Sequence, residues 1–186
     1  MFILASKSQR RIEILSKYFD FKNISYEINE NMKNFKTQSS LVMSLAFEKG
    51  IKVSVDYPND TVLSFDTIVC CDDKVLGKPI DREDAFNMLR LLSGRKHRVL
   101  TGYGIFNLEK GIKFLNYNET LVYFKNLSDE DINIYLDTKE YVDKAGAYGI
   151  QDKGSLLVDY IVGDYFNVVG LPISKLYDDL KKLDLW

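Results

Sequence analysis

Asp66 interrupts an apolar, β-branched run from Val62 to Cys71, and a run of that kind reads as a buried strand. A carboxylate there needs hydrogen bonds, a cation or a metal, or a place at a strand end facing a cleft. The turn signal Asp72-Asp73, a short strand Lys74–Leu76 and Gly77-Lys78-Pro79 follow. If the two runs pair as a hairpin, Asp66 and Lys78 approach each other at one end of it. Ser6-Lys7-Ser8-Gln9-Arg10-Arg11 sets hydroxyls, backbone N–H groups and two arginines at a helix start, donors suited to phosphate oxygens. Lys49 lies three residues beyond Ala46, at the border of a helix's buried stripe. Gln151 closes the glycine-rich stretch Lys144–Gln151 and carries the paired donor and acceptor that read a base edge. Each feature alone has a plainer reading: an ion pair, a solvated helix start, a snorkelling lysine, a packing turn.

The elements that must position these groups alternate between strand and helix. Phe2–Ala5 reads as a buried strand, with Ser8 as N-cap of a helix that faces Ile12, Leu15 and Phe19 inward. Ser25–Asn29 reads as a strand and Glu30–Gln38 as a polar loop. Ser39 or Ser40 is expected to cap a second helix carrying Val42, Leu45 and Ala46. After the central hairpin, Asp81 caps a third helix with Ala85, Met88, Leu89 and Leu92, closed by Gly94. Arg95-Lys96-His97-Arg98 reads as a solvated basic link, with His97 as a structural hydrogen-bonder. Strands Val99–Asn107 and Ile112–Lys125 flank the turn Glu109-Lys110-Gly111. Ser128 begins a fourth helix with an acidic first turn and Ile132, Tyr135 and Leu136 as its apolar positions. Leu156–Val162 reads as a strand, and Gly163–Pro172 leads into a last helix with Ile173, Leu176 and Leu180.

The chain has 186 residues, enough for one substantial core, and 46% hydrophobic with 28% charged residues is an ordinary globular composition. A single domain over 1–186 is expected. The formal net charge of −2 argues against bulk attraction to nucleic acid or an anionic membrane. No apolar run approaches a membrane span, and the N-terminus lacks the basic flank of a signal peptide. Cys70 and Cys71 are the only cysteines; as strand neighbours they read as core residues of a cytoplasmic protein. With His97 the single histidine, two-histidine metal sites are excluded, and a metal, if present, is magnesium or manganese on oxygen ligands.

Six segments taken in order resemble the Maf family, septum-formation inhibitors that act as nucleoside triphosphate pyrophosphatases. They are Ile3–Leu15 (ILAS-x-S-x-RR-x-EIL), Ala46-Phe47-Glu48-Lys49, and Asp66-Thr67 with Leu76-Gly77-Lys78-Pro79. The others are Leu92-Ser93-Gly94-Arg95 with Thr101-Gly102, Asp143–Gln151, and Gly163–Pro172. The resemblance implies an α/β fold, with a mixed β-sheet, flanking helices and two lobes around a cleft, of the inosine-triphosphate-pyrophosphatase type. It implies hydrolysis of a nucleoside triphosphate to the monophosphate and pyrophosphate with a divalent cation, Mg2+ or Mn2+, and a homodimer. On matching positions Asp66 is the catalytic residue and a candidate metal ligand, and Ser6, Arg10, Arg11, Lys49 and Lys78 hold the phosphates. Arg11, Thr67 and Gln151 match positions tied to substrate choice, in a combination like the dTTP/UTP branch rather than the 7-methyl-GTP branch. The alternative is a nucleotide-binding regulator of cell division with little or no catalysis. Three departures stand out. Ser64-Phe65 replaces the usual Gly-Ala, and Gly50 replaces the usual Ala, which is expected to loosen its helix. The usual acidic loop residue has only Glu30 as a counterpart.

Overall fold

The computed structural model describes residues 1–28 and 35–186, so Glu30 and the start of the expected Glu30–Gln38 loop lie outside the described residues. Contacts divide the chain into two compact units. The first comprises Met1–Asp66, Thr101–Asn118 and Gly170–Trp186; the second comprises Thr67–Leu100 and Glu119–Val169.

In the first unit, β1 (Phe2–Ala5) lies between β2 (Phe21–Asn23) and the opening of β3 (Thr61–Cys71), parallel to both. β2 falls earlier than the expected Ser25–Asn29. Register decides this: Phe21 and Asn23 stand beside Phe2 and Leu4, and Ile24 N–H donates to Leu4 O at 3.0 Å. A short local run cannot show which residues a parallel partner will select. Helix α1 (Gln9–Leu15) begins at Ser8, which takes the N-cap place without a side-chain cap bond. Instead Ser6 Oγ accepts from Ser8 N–H at 3.2 Å. Helix α2 (Gln38–Asp56) is capped by Thr37 rather than Ser39 or Ser40; the Thr37 hydroxyl accepts from Ser40 N–H at 3.1 Å. This helix supplies the crossover by which the chain passes from β2 to β3, which flank β1 and run parallel to it. A Cβ on Gly102 would stand 2.5 Å from Val42 O, so the backbones of α2 and the neighbouring strand pass in direct contact there.

Further along the first unit, Leu41, Val42, Leu45, Ala46 and Val53 of α2 are buried, and Val53 joins Ile3, Ala5, Val62 and Phe106 in a core cluster. Helix α6 (Ile173–Lys182) buries Ile173, Leu176 and Leu180 together with Asp179. The Asp179 carboxylate accepts from Tyr103 Oη at 2.6 Å, Asn116 Nδ2 at 2.8 Å and Lys182 Nζ at 2.9 Å. Burial pushes this carboxyl up, and the three donors together outweigh it and hold it below its ordinary value. The two chain ends share one run of aromatic edges: Phe2 on Phe19 at 5.0 Å, Phe19 on Trp186 at 4.8 Å, and Trp186 on Tyr177 at 5.0 Å.

In the second unit, the rest of β3 pairs antiparallel with β4 (Lys74–Leu76), Val69 opposite Leu76 and Cys71 opposite Lys74. Asp72, at φ 51°, turns the corner. Asp81 caps α3 (Arg82–Leu92), accepting from Asp84 N–H at 2.8 Å. Ser128 and Asp131 close a capping box on α4 (Asp129–Asp137). β5 (Lys96–Asn107) begins three residues earlier than expected. Lys96–Arg98 are strand rather than link, because His97 is buried against Phe124 and Tyr148, and its Nε2 and the Tyr148 hydroxyl meet at 2.7 Å. β6 (Ile112–Phe124) pairs antiparallel with β7 (Val158–Val162). Residues 152–157, expected in part as strand, form a 3₁₀ turn ahead of it. Helix α5 (Tyr165–Val169) ends this unit.

Among the described residues the strands make one mixed sheet in the order β2-β1-β3-β5-β6-β7, with β4 paired to β3. β3, β5 and β6 each continue from one unit into the other. No helix among the described residues is long and apolar enough to cross a membrane.

Candidate functional site

Five of the expected site residues, Ser6, Arg10, Arg11, Lys49 and Asp66, belong to the first unit. Asp66 ends the first of that unit's three segments, on β3, and is 8% exposed. Lys49 reaches it from α2: the ammonium and the Asp66 carboxylate are in direct contact, both largely shielded from water. A buried carboxylate without such a cation would be strongly destabilising, so the pair explains how the apolar strand tolerates its acid. It also fixes a carboxylate and an ammonium beside each other on rigid elements.

Two backbone carbonyls orient Arg11. Its Nε donates to Gly170 O at 2.8 Å and its Nη1 to Phe65 O at 3.1 Å. The guanidinium lies 5.9 Å from the Phe65 ring. Ser6 is buried, and its Oγ accepts from Arg11 Nη1 at 3.4 Å as well as from Ser8 N–H. The polar turn after β1 is thus tied to the residue preceding Asp66. The two carbonyls fix the direction of a guanidinium whose planar fork of donors suits phosphate oxygens. Arg10, its neighbour on α1, is partly exposed.

Thr67, Lys78 and Gln151 belong to the second unit. Lys78 follows Leu76, the last ladder residue of β4, by two positions. Its side chain is 67% exposed and faces Asp143 at 3.6 Å, itself largely exposed. A surface pair of that kind holds little energy and parts readily for a better anion. Gln151 precedes the 3₁₀ turn Asp152–Leu157 in extended conformation and is partly exposed. The glycines before it have a packing duty as well. Gly146 adopts φ 68°, its N–H donates to Gly77 O at 3.0 Å, and a Cβ there would stand 3.0 Å from Val69 Cγ1. That contact fixes the strand exit carrying Lys78.

Several residues support the site in ways that their place in the sequence does not reveal. Gly50 does not loosen α2, which runs unbroken through it. Its missing side chain is required, since a Cβ would stand 2.2 Å from Phe106 Cε2 and 2.6 Å from Ser64 Oγ. Ser64 and Gly50, noted separately as departures, are therefore one contact. Thr101-Gly102 and Gly163–Pro172 were legible as motifs, but their duties (room for α2 at Gly102, a carbonyl for Arg11 at Gly170) follow only from the coordinates.

Among the described residues no group of three or more His, Cys, Asp or Glu is placed to hold a metal ion. Asp66 is a single shielded carboxylate. Among the described residues that donor set fits a magnesium-type ion carried largely by a ligand's own phosphate oxygens, with one protein carboxylate.

The chain matches the family model described as Maf-like protein over residues 1–183. Several proteins named dTTP/UTP pyrophosphatase are close relatives. One from Clostridioides difficile is 51% identical over 181 residues, covering 97% of this chain and 93% of its own. One from Caldanaerobacter subterraneus is 49% identical over 181 residues, 96% and 87%; one from Pyrococcus abyssi is 46% identical over 181 residues, 97% and 95%. Among solved structures, the Ham1 protein of Staphylococcus aureus superposes with a TM-score of 0.55 at 13% identity over 98% of both chains, a likeness of fold alone.

Proposed function

This chain belongs to the Maf family, and from that premise we propose that it is a nucleoside triphosphate pyrophosphatase acting on dTTP and UTP. The observation that carries the proposal is the shielded contact between Lys49 and Asp66 on rigid elements, next to an arginine held by carbonyls. The relatives' shared name supports the substrate class. In this reading water attacks the α-phosphorus, the bond from that phosphorus to the bridging oxygen breaks, and pyrophosphate leaves. Asp66 takes the proton from the attacking water or orients it. Ser6, Arg10, Arg11, Lys49 and Lys78 hold the phosphates and offset charge on the leaving group, the largest contribution expected in phosphoryl chemistry. Arg11, Thr67 and Gln151 discriminate the base.

A divalent cation, Mg2+ or Mn2+, is part of the proposal; with Asp66 as its protein ligand it would neutralise phosphate charge. The domain is taken as one over 1–186, working in the cytoplasm, where two free buried cysteines are at home, and as a homodimer in the manner the resemblance implies. The test is pyrophosphate release from a panel of dTTP, UTP, CTP, GTP and 7-methyl-GTP with magnesium. Release from dTTP and UTP, abolished by a chelator, is the expected outcome. Tight nucleotide binding without release would transfer the chain to the regulator class, and release from 7-methyl-GTP alone would overturn the substrate assignment.

A further inference from the structure

Helix α2 lies against β3 and β5 more closely than two elements with ordinary side chains could, and the closeness is set at Gly50. A Cβ there would meet Phe106 Cε2 at 2.2 Å, Ser64 Oγ at 2.6 Å and Phe106 Cδ2 at 2.7 Å. Gly104, on the same strand as Phe106, repeats the pattern: its Cβ would meet Phe106 Cε2 at 2.3 Å and Ser64 Oγ at 2.9 Å. The fully buried Phe106 ring therefore fills a gap left by two absent side chains. Two hydroxyls bond to carbonyls of this stretch of α2, the first from β3 and the second from within the helix. Ser64 Oγ donates to Ala46 O at 2.7 Å, the carbonyl one turn before Gly50, and Ser54 Oγ donates to Gly50 O at 2.5 Å.

The same turn carries Lys49. Ser64 and Asp66 are two residues apart on β3 and so point to the same face. Ser64 grips the 46–50 turn while Asp66 meets the Lys49 ammonium from that turn. From this arrangement we propose that Gly50 is a positioning residue: by admitting Phe106 and Ser64 against the helix backbone, it places Lys49 on Asp66. The proposal rests on Asp66 and Lys49 acting in hydrolysis as described above. A methyl group at position 50 would lift the turn from β3, because the ring beneath it is packed and cannot retreat.

The test is a set of variants of the full chain assayed with dTTP and magnesium well below their melting temperatures. Gly50→Ala is expected to lower kcat by about tenfold or more while KM changes by less than about threefold, since a displacement near 1 Å at reacting groups is enough for that. Phe106→Leu, which withdraws the ring atoms nearest position 50, is expected to lower Tm by itself. Combined with Gly50→Ala it should restore kcat to within about threefold of the parent although Tm stays low. Asn116→Ala, which removes a donor from Asp179 elsewhere in the same unit, should lower Tm and leave kcat unchanged. Restored turnover without restored stability is an outcome that a purely structural role cannot give. If kcat follows Tm across all four variants, or Gly50→Ala retains kcat within about twofold, the proposal is overturned. Asp66→Asn and Lys49→Met run alongside: should they keep full turnover, the catalytic assignment itself fails, whatever Gly50 does.

Discussion

At the residue scale the central fact is a carboxylate that an apolar strand would reject without its cation. Asp66 is shielded, and Lys49 meets it from a helix that packs on the strand. Asp66→Asn keeps the shape and a hydrogen-bond acceptor but removes the charge. It is expected to reduce pyrophosphate release by roughly a hundredfold or more, the usual effect of deleting one charge-handling group. Circular dichroism should remain that of the parent. Near-parental release would sink the assignment of Asp66. The sequence made this residue visible because a lone acid in an apolar run is a local anomaly. The anchoring of Arg11 by the carbonyls of Phe65 and Gly170 is not visible in the sequence, because every residue type has a carbonyl. The signature of the helix start could be read; what orients it could not.

Among the elements, those specified by their own residues were legible and those specified by a distant partner were not. The β3–β4 hairpin, the Asp81 cap and the Ser128 cap formed where local chemistry placed them. β2 was misplaced because its register belongs to β1. Helix propensity marks Gly50 as a weak point because it is a local quantity, whereas the contact that requires glycine comes from Phe106 on β5. The opening of β5 reads as a solvated link by its basic flanking residues, yet His97 between them is buried. Its Nε2 meets Tyr148 and its Nδ1 has no partner among the described residues, and burial pushes the imidazole down to about 4 from the ordinary 6.5. The sign follows from that depression. The neutral ring is favoured in the fold, so its contribution is complete above about pH 6.5 and is lost as pH falls toward about 4, amounting to roughly 3 kcal/mol. Urea midpoints measured from pH 7 down to 4 should fall across this window, and a His97→Asn chain should show a flatter profile over it. A parental chain with no slope there would show that His97 is not the titrating group.

At the scale of the whole molecule, each unit is assembled from separate stretches of chain: three for the first and two for the second. Composition and charge were sufficient to place the protein among ordinary globular chains, and the ordered motifs were sufficient for its family. The partition into units was not legible, since no linker or change of composition marks the residues where the chain passes from one to the other. No single cut would release an intact unit, so limited proteolysis is expected to yield no stable contiguous half.

The aromatic run that joins the chain ends has an optical consequence. Trp186 is the sole tryptophan, seated between Phe19 and Tyr177 in the first unit. Indole emission therefore acts as a gauge of that unit, while ellipticity averages over the backbone of both. A cooperative molecule will give coincident melting curves by the two signals; an emission change that runs ahead of the ellipticity would identify the first unit as the part that yields first.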